Sequence, residues 1–176
     1  MADGASSQVA GAQVAGPVPN WLSETEQRSW RTLIDVTTGV LATLDNELRA
    51  EHGLSLGEYE VLVHLSEAPE GSLRMTDLAG ALRLSPSGIT RRIDGLVRAG
   101  LVERRQCPSD RRGSNAVLTT DGLRRLEKAA PSHVRGVRAY FIDQLTEKEL
   151  ANLAAALARV DVDAARAAGG CDVSVE

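Results

Sequence analysis

Between Met75 and Thr119 the periodicity of the chain changes several times, and the residues at each change restrict what this segment can fold into. Leu78, Ala79 and Leu82 put apolar side chains on one face of a helical turn. Leu84-Ser85-Pro86 then stops that helix and opens another. The Ser85 hydroxyl is placed to accept from a free N–H of the new first turn, and Pro86 takes the first helical position, where a missing N–H costs nothing. Ile89, Ile93, Leu96 and Val97 recur at helical spacing, so that face packs inward. At about 100° per residue, Arg91 points away from Ile89 toward solvent, while Arg92 falls on the flank of the buried stripe. Gly100 ends the helix as a left-handed glycine. Leu101 to Cys107 reads as a short strand, Cys107 to Asn115 as a polar turn, and Ala116-Val117-Leu118 as the return strand. Helix, tight turn, helix and a hairpin with an arginine-rich tip is the layout of a winged helix-turn-helix. The fold class expected is mainly α with a small β-hairpin wing.

Charge is distributed to match. The chain has 20 basic and 24 acidic residues, a net charge of −4. Between Arg74 and Gly113 nine arginines (74, 83, 91, 92, 98, 104, 105, 111 and 112) stand against four acids (Asp77, Asp94, Glu103, Asp110), which leaves +5 here and −9 elsewhere. A polyanion is drawn to this face and repelled by the rest, the electrostatic footprint of a DNA reader. Of the adjacent arginines, only Arg91 is well placed to read DNA.

The run from Ser87 to Val97 (Ser-Gly-Ile-Thr-Arg-Arg-Ile-Asp-Gly-Leu-Val), followed by Gly100-Leu101-Val102-Glu103-Arg104 and by Asp110-Arg111-Arg112 before Leu118-Thr119, resembles the recognition helix and wing of the MarR family of bacterial regulators. The likeness extends from about Glu24 to Val160. It implies a homodimeric transcription factor bound to double-stranded DNA, a repressor released by a small aromatic, phenolic or anionic effector. Carried over position by position, it implies that Arg91 reaches base edges in the major groove. Ser85, Ser87, Gly88 and Thr90 then line the helix end against phosphates and bases, Asp110 braces the wing, and Arg112 or Arg111 enters the minor groove. An arginine can bond a guanine edge bidentately, and a narrow minor groove attracts guanidinium groups. Trp30, Tyr59, Glu60, His64 and Arg92 are candidates to line an effector cleft. The combination of Trp30, Glu60 after the aromatic Tyr59, and Arg92 is similar to the urate-responsive subgroup, with Glu60 where that subgroup has aspartate.

Around this centre the chain divides into a leader over residues 1–20, a dimerisation helix over 21–53, the DNA-binding region over 54–119, C-terminal dimerisation helices over 120–168 and a tail over 169–176. The leader is nearly uncharged and aperiodic, which predicts disorder, as for the tail. Capping boxes at Ser23-Glu26, Ser55-Glu58 and Thr146-Glu149 open three helices, and Thr119 or Thr120 opens a fourth. The first carries an apolar stripe through Trp30, Leu33, Ile34, Thr37, Val40, Leu41, Leu44 and Leu48. Another stripe runs through Leu123, Leu126, Ala130, Val134, Val137, Phe141 and Leu145, with Pro131 expected to kink its helix, and the last through Leu150, Leu153, Ala154, Leu157 and Val160. The first and last helices offer more apolar surface than a small winged-helix core absorbs, so they are expected to meet a second copy.

Other chemistries find little support. His52, His64 and His133 have no zinc-binding spacing, and no nucleophile elbow or phosphate-cradling loop is present, so neither an enzyme, a metal nor a cofactor is expected. Cys107 and Cys171 imply no disulfide framework. No apolar run reaches the roughly 20 residues needed to span a bilayer, so a cytoplasmic protein without membrane contact is expected. Two competing readings are a redox-responsive regulator using Cys107, beside arginines that would lower its pKa, and a winged-helix protein-interaction module without a DNA target.

Overall fold

The computed structural model describes residues 20–107 and 110–163, with the side chains of 107 and 110–112 outside the description. The leader, apart from Asn20, and the tail over 169–176 therefore lie outside the described residues. The elements are α1 (Glu24–His52), α2 (Leu56–Glu67), a 3-10 turn (Pro69–Gly71), β1 (Ser72–Arg74), α3 (Met75–Ala81), α4 (Pro86–Arg98), β2 (Val102–Cys107), β3 (Asp110–Leu118), α5 (Thr120–Tyr140), a second 3-10 turn (Ile142–Gln144) and α6 (Glu147–Leu157). Among the described residues, six helices and one small sheet give the mainly α winged helix-turn-helix that the sequence predicts.

The chain divides into two compact units, Met1–Asp35 and Val36–Glu176. In the first, α1 opens on a capping box: Glu26 N–H donates to Ser23 Oγ at 3.3 Å, and Ser23 N–H donates to Glu26 Oε2 at 2.7 Å. Trp30, Leu33 and Ile34 are 57%, 42% and 43% exposed.

In the second unit Leu48 of α1, Val61, Leu62 and Leu65 of α2, Leu78 and Ala79 of α3, Ile89, Ile93 and Leu96 of α4, Val102 and Ala116 of the sheet, and Leu126 and Ala129 of α5 form one buried cluster. The same capping-box chemistry starts α2 at Ser55 and α6 at Thr146, where each side chain accepts an N–H and a glutamate reaches back. Between α3 and α4 the chain turns through Arg83 with φ of 51°, a left-handed non-glycine residue that closes the tight turn.

The hairpin differs from the sequence reading. β3 begins at Asp110, so the long polar turn expected over Cys107 to Asn115 is mostly strand, and Cys107 pairs with Asp110 across the tip. Strand pairing overrides the poor β propensity of Asp-Arg-Arg-Gly-Ser-Asn, because β2 supplies the ladder partners. A third strand, β1, completes the sheet in the order β1-β3-β2, with Ser72 opposite Val117, Leu73 opposite Ala116 and Arg74 opposite Asn115.

The terminal helices also pack differently from the single stripes expected. On α1 only Leu44 and Leu48 are buried. On α5 the buried residues are Gly122, Leu126, Ala129 and Gly136, while Leu123 and Val134 are 40% and 53% exposed. These are two faces roughly 115° apart at the helical repeat: one packed on its own unit, the other free. α5 runs unbroken through Pro131. It is fastened to α1 by His52 Nε2 and Ser132 Oγ at 2.6 Å, by Arg125 donating to the His52 carbonyl at 2.8 Å, and by the Tyr140 hydroxyl donating to Glu47. No described residue of α6 is buried.

Candidate nucleic-acid interface

α4 is held from behind and open in front. Ile89, Ile93 and Leu96 are 2%, 0% and 1% exposed, so the helix is seated on the core along its whole length. Ser85 caps it, accepting the Gly88 N–H at 3.1 Å, and lies 3.2 Å from the Ser87 hydroxyl. Gly88 fits closely under this cap: a Cβ there would stand 3.2 Å from Ser85 Oγ. The Thr90 hydroxyl donates to the Pro86 carbonyl at 2.8 Å and keeps its lone pairs outward. Ser85, Ser87, Thr90 and Arg91 are all exposed and Gly88 is half-buried, so the structure brings the five together on the first two turns of one helix. Among the described residues Arg91 makes no ion pair.

Arg92 lies about 100° further round the helix and reaches back to α2. Its Nη1 donates to the Gly57 carbonyl at 3.4 Å, and a Cβ on Gly57 would come within 2.4 Å of the guanidinium carbon. Glycine at 57 is thus what lets the guanidinium lie flat on the start of α2. The two adjacent arginines part as the helical repeat requires.

The wing springs from the C-terminal end of α4. Gly100, at φ of 71°, reverses the chain after Ala99. Thr119 then closes the far end of the hairpin, donating to the Gly100 carbonyl at 2.8 Å and accepting the Gly122 N–H at 2.9 Å as the cap of α5. On β2 the side chains alternate: Val102 is buried, Glu103 and Arg105 pair with each other at 2.9 Å, and Arg104 turns toward α4. Two of the arginines counted toward the basic hairpin are therefore matched by acids, Arg104 by Asp94 and Arg105 by Glu103. The side chains of Asp110, Arg111 and Arg112 lie outside the described residues, while their backbone begins β3 beside the tip.

Residues 54–114 match the sequence model of the MarR family. The chain is 38% identical over 100 residues to the HTH-type transcriptional repressor YetL of Bacillus subtilis, an alignment spanning 57% of this chain and 60%, less than two thirds, of the repressor. Its fold matches AbsC, a MarR family transcriptional regulator from Streptomyces coelicolor, with a TM-score of 0.75 and 43% identity over 79% of this chain and 93% of AbsC. The chain belongs to the MarR family. Sco3205 of the same organism, a MarR family regulator solved in complex with DNA, matches with a TM-score of 0.76 and 36% identity over 81% of this chain and 89% of that one. The relatives matched here are transcriptional regulators.

The effector candidates are placed unevenly in this MarR protein. Arg92 lines an open cleft of about 330 Å³ with Arg49, Ser55, Glu58, Leu84, Gly88 and Arg91. Tyr59, 7% exposed, points into the core, where its ring meets His133 with centroids 4.5 Å apart. Glu60 is exposed and His64 half-buried on the same helix, and Trp30 belongs to the N-terminal unit. Arg49, Ser55 and Glu58 were not singled out as cleft residues by sequence reasoning; the signal was the capping box, which fixes Glu58 next to Ser55 in the cleft beside α4. Cys107 ends β2 with its side chain outside the described residues. Among the described residues no group of three or more His, Cys, Asp or Glu could hold a metal ion, and no helix is long and apolar enough to cross a membrane.

Proposed function

We propose that the protein is a homodimeric repressor that binds a pseudo-palindromic operator in double-stranded DNA and is released by a small anionic effector. The observation that carries this reading is α4, seated on the core by Ile89, Ile93 and Leu96 while Ser85, Ser87, Thr90 and Arg91 face outward beside an attached wing. Arg91 contacts base edges, Ser85, Ser87, Gly88 and Thr90 contact phosphates and bases, and Asp110, Arg111 and Arg112 serve the wing. The name of the YetL repressor and the DNA complex of Sco3205 support repression and DNA binding respectively.

Dimerisation is supported by apolar surface left open on the terminal helices and just after the last of them: Leu41, Val134, Leu157 and Val160 are 45%, 53%, 45% and 66% exposed. A two-fold dimer sets two recognition helices about 34 Å apart, one turn of DNA. The effector reading rests on Arg92, whose guanidinium is partly free in the cleft at the base of α4. An anion paired with it favours one placement of the recognition helices over another, and so shifts the population away from the operator-competent state.

The test is selection from a random duplex pool with wild type and Arg91→Ala side by side. The expected result is an inverted repeat for wild type and loss of its central preference in the variant. Weak binding, blind to sequence and equal for both proteins, would defeat the reading. Urate added to the wild-type complex, with Arg92→Ala as control, tests the effector: release that depends on Arg92 is expected.

A further inference from the structure

Arg104 sits where the wing leaves the body of the protein. β1 ends at Arg74, opposite Asn115, and Asn115 in turn faces Arg105. Beyond that level the sheet continues as a ribbon of β2 and β3 alone, where Gln106, opposite Ser114, is exposed. A two-stranded ribbon twists and bends readily. Arg104 is the next residue inward, on the face of β2 that carries buried Val102 and opposite Ala116. Its Nη2 donates to the Thr90 carbonyl at 3.2 Å and forms an ion pair with Asp94 Oδ1 at 2.9 Å, two positions one turn apart on α4. Asp94 is engaged from both directions, since its carbonyl also accepts from Arg98 Nε at 3.2 Å.

We infer that Arg104 is a positioning residue which, through Asp94 and the Thr90 carbonyl, sets the angle of the wing against the recognition helix and so determines which flanking base pairs the protein discriminates. The inference rests on the reading of α4 and the wing as DNA contacts. Arg104 touches α4 at Thr90, on the exposed first turns, and holds the strand leading to the tip, so one side chain ties the major-groove element to the minor-groove element. Both contacts are made by Nη2, whose N–H groups are fixed in the guanidinium plane, whereas an ammonium is carried on a flexible stem.

The test compares Arg104→Met, Arg104→Lys and Asp94→Asn with wild type and Arg91→Ala on the selected operator and on a library randomised only in its flanks. Melting temperature and dimer mass are measured alongside, and Arg104→Lys carries the comparison if Arg104→Met fails to fold. The expected result is that Arg104→Met and Asp94→Asn keep the central preference but lose discrimination among the flanks, with affinity for the full operator down about tenfold. Asp94→Asn is decisive. If Arg104 instead contacts phosphate itself, removing the neighbouring acid leaves binding unchanged or tighter, and the inference fails. It fails equally if both variants lose affinity uniformly at every position. Loss of specific binding by wild type itself would defeat the underlying DNA reading, which Arg91→Ala reports separately.

Discussion

Arg91 and Arg92 show how a step of about 100° along a helix sends two identical side chains to different surroundings, Arg92 to the Gly57 carbonyl and Arg91 to the exposed face. Their separation follows from the apolar stripe at Ile89 and Ile93, and it was legible in the sequence because only the 3.6-residue repeat is needed to derive it. What Arg92 rests on was not legible, because Gly57 lies 35 positions away and nothing local marks it as a seat for a guanidinium. His133 is a second residue whose partner is distant. Burial lowers its imidazole pKa below the ordinary value, with Glu60 opposing, and its Nδ1 has no hydrogen-bond partner among the described residues. A histidine whose pKa is lower folded than unfolded contributes stability that is intact above the unfolded value and is lost as the pH falls through it. Stability is therefore expected to decline as the pH drops below about 6.5. Thermal melts across pH check this: His133→Phe, which keeps a ring against Tyr59, should flatten that part of the profile, and identical profiles would contradict the account.

Helix starts were the most readable elements, because capping is local: Ser23, Ser55, Ser85, Thr119 and Thr146 all cap as their spacing predicts. Strand boundaries were less readable. β1 is three residues of no distinctive composition, and the start of β3 is set by its partners and not by its own residues. The junction between α4 and α5 was also hidden from sequence, although it ties the recognition helix to the helix that leads toward the terminal elements. A Cβ on Gly122 would stand 2.1 Å from the Leu101 carbonyl oxygen, so α5 can start this close to the end of α4 only with glycine there. Gly122→Ala must move backbone rather than a flexible side-chain end, and it is expected to destabilise by about 1–3 kcal/mol, as overpacking does. Denaturant melts measure it; a neutral change would show that the junction yields freely.

For the protein as a whole, the sequence signalled surplus apolar surface without saying which faces would remain open. The structure separates them: α5 uses one face for its own unit and leaves another, with Val134, uncovered, and α6 buries nothing among the described residues. Paired substitution of Val134 and Leu157 by aspartate is expected to convert a dimer into a monomer in sedimentation, with operator affinity reduced about a hundredfold or more through loss of bivalency. A variant that stays dimeric would place the interface elsewhere. The charge pattern predicts that binding weakens steeply with salt while the acidic remainder adds nothing to it.

The account stands on Arg91 reading a base, and a double-mutant cycle tests this most directly. Wild type and Arg91→Ala are titrated against the selected operator and against each single base-pair change in one half-site. A coupling of about 1–3 kcal/mol is predicted at one or two adjacent positions and none elsewhere. Coupling near zero at every position would show that Arg91 is a surface charge, and the recognition assigned to α4 would be wrong.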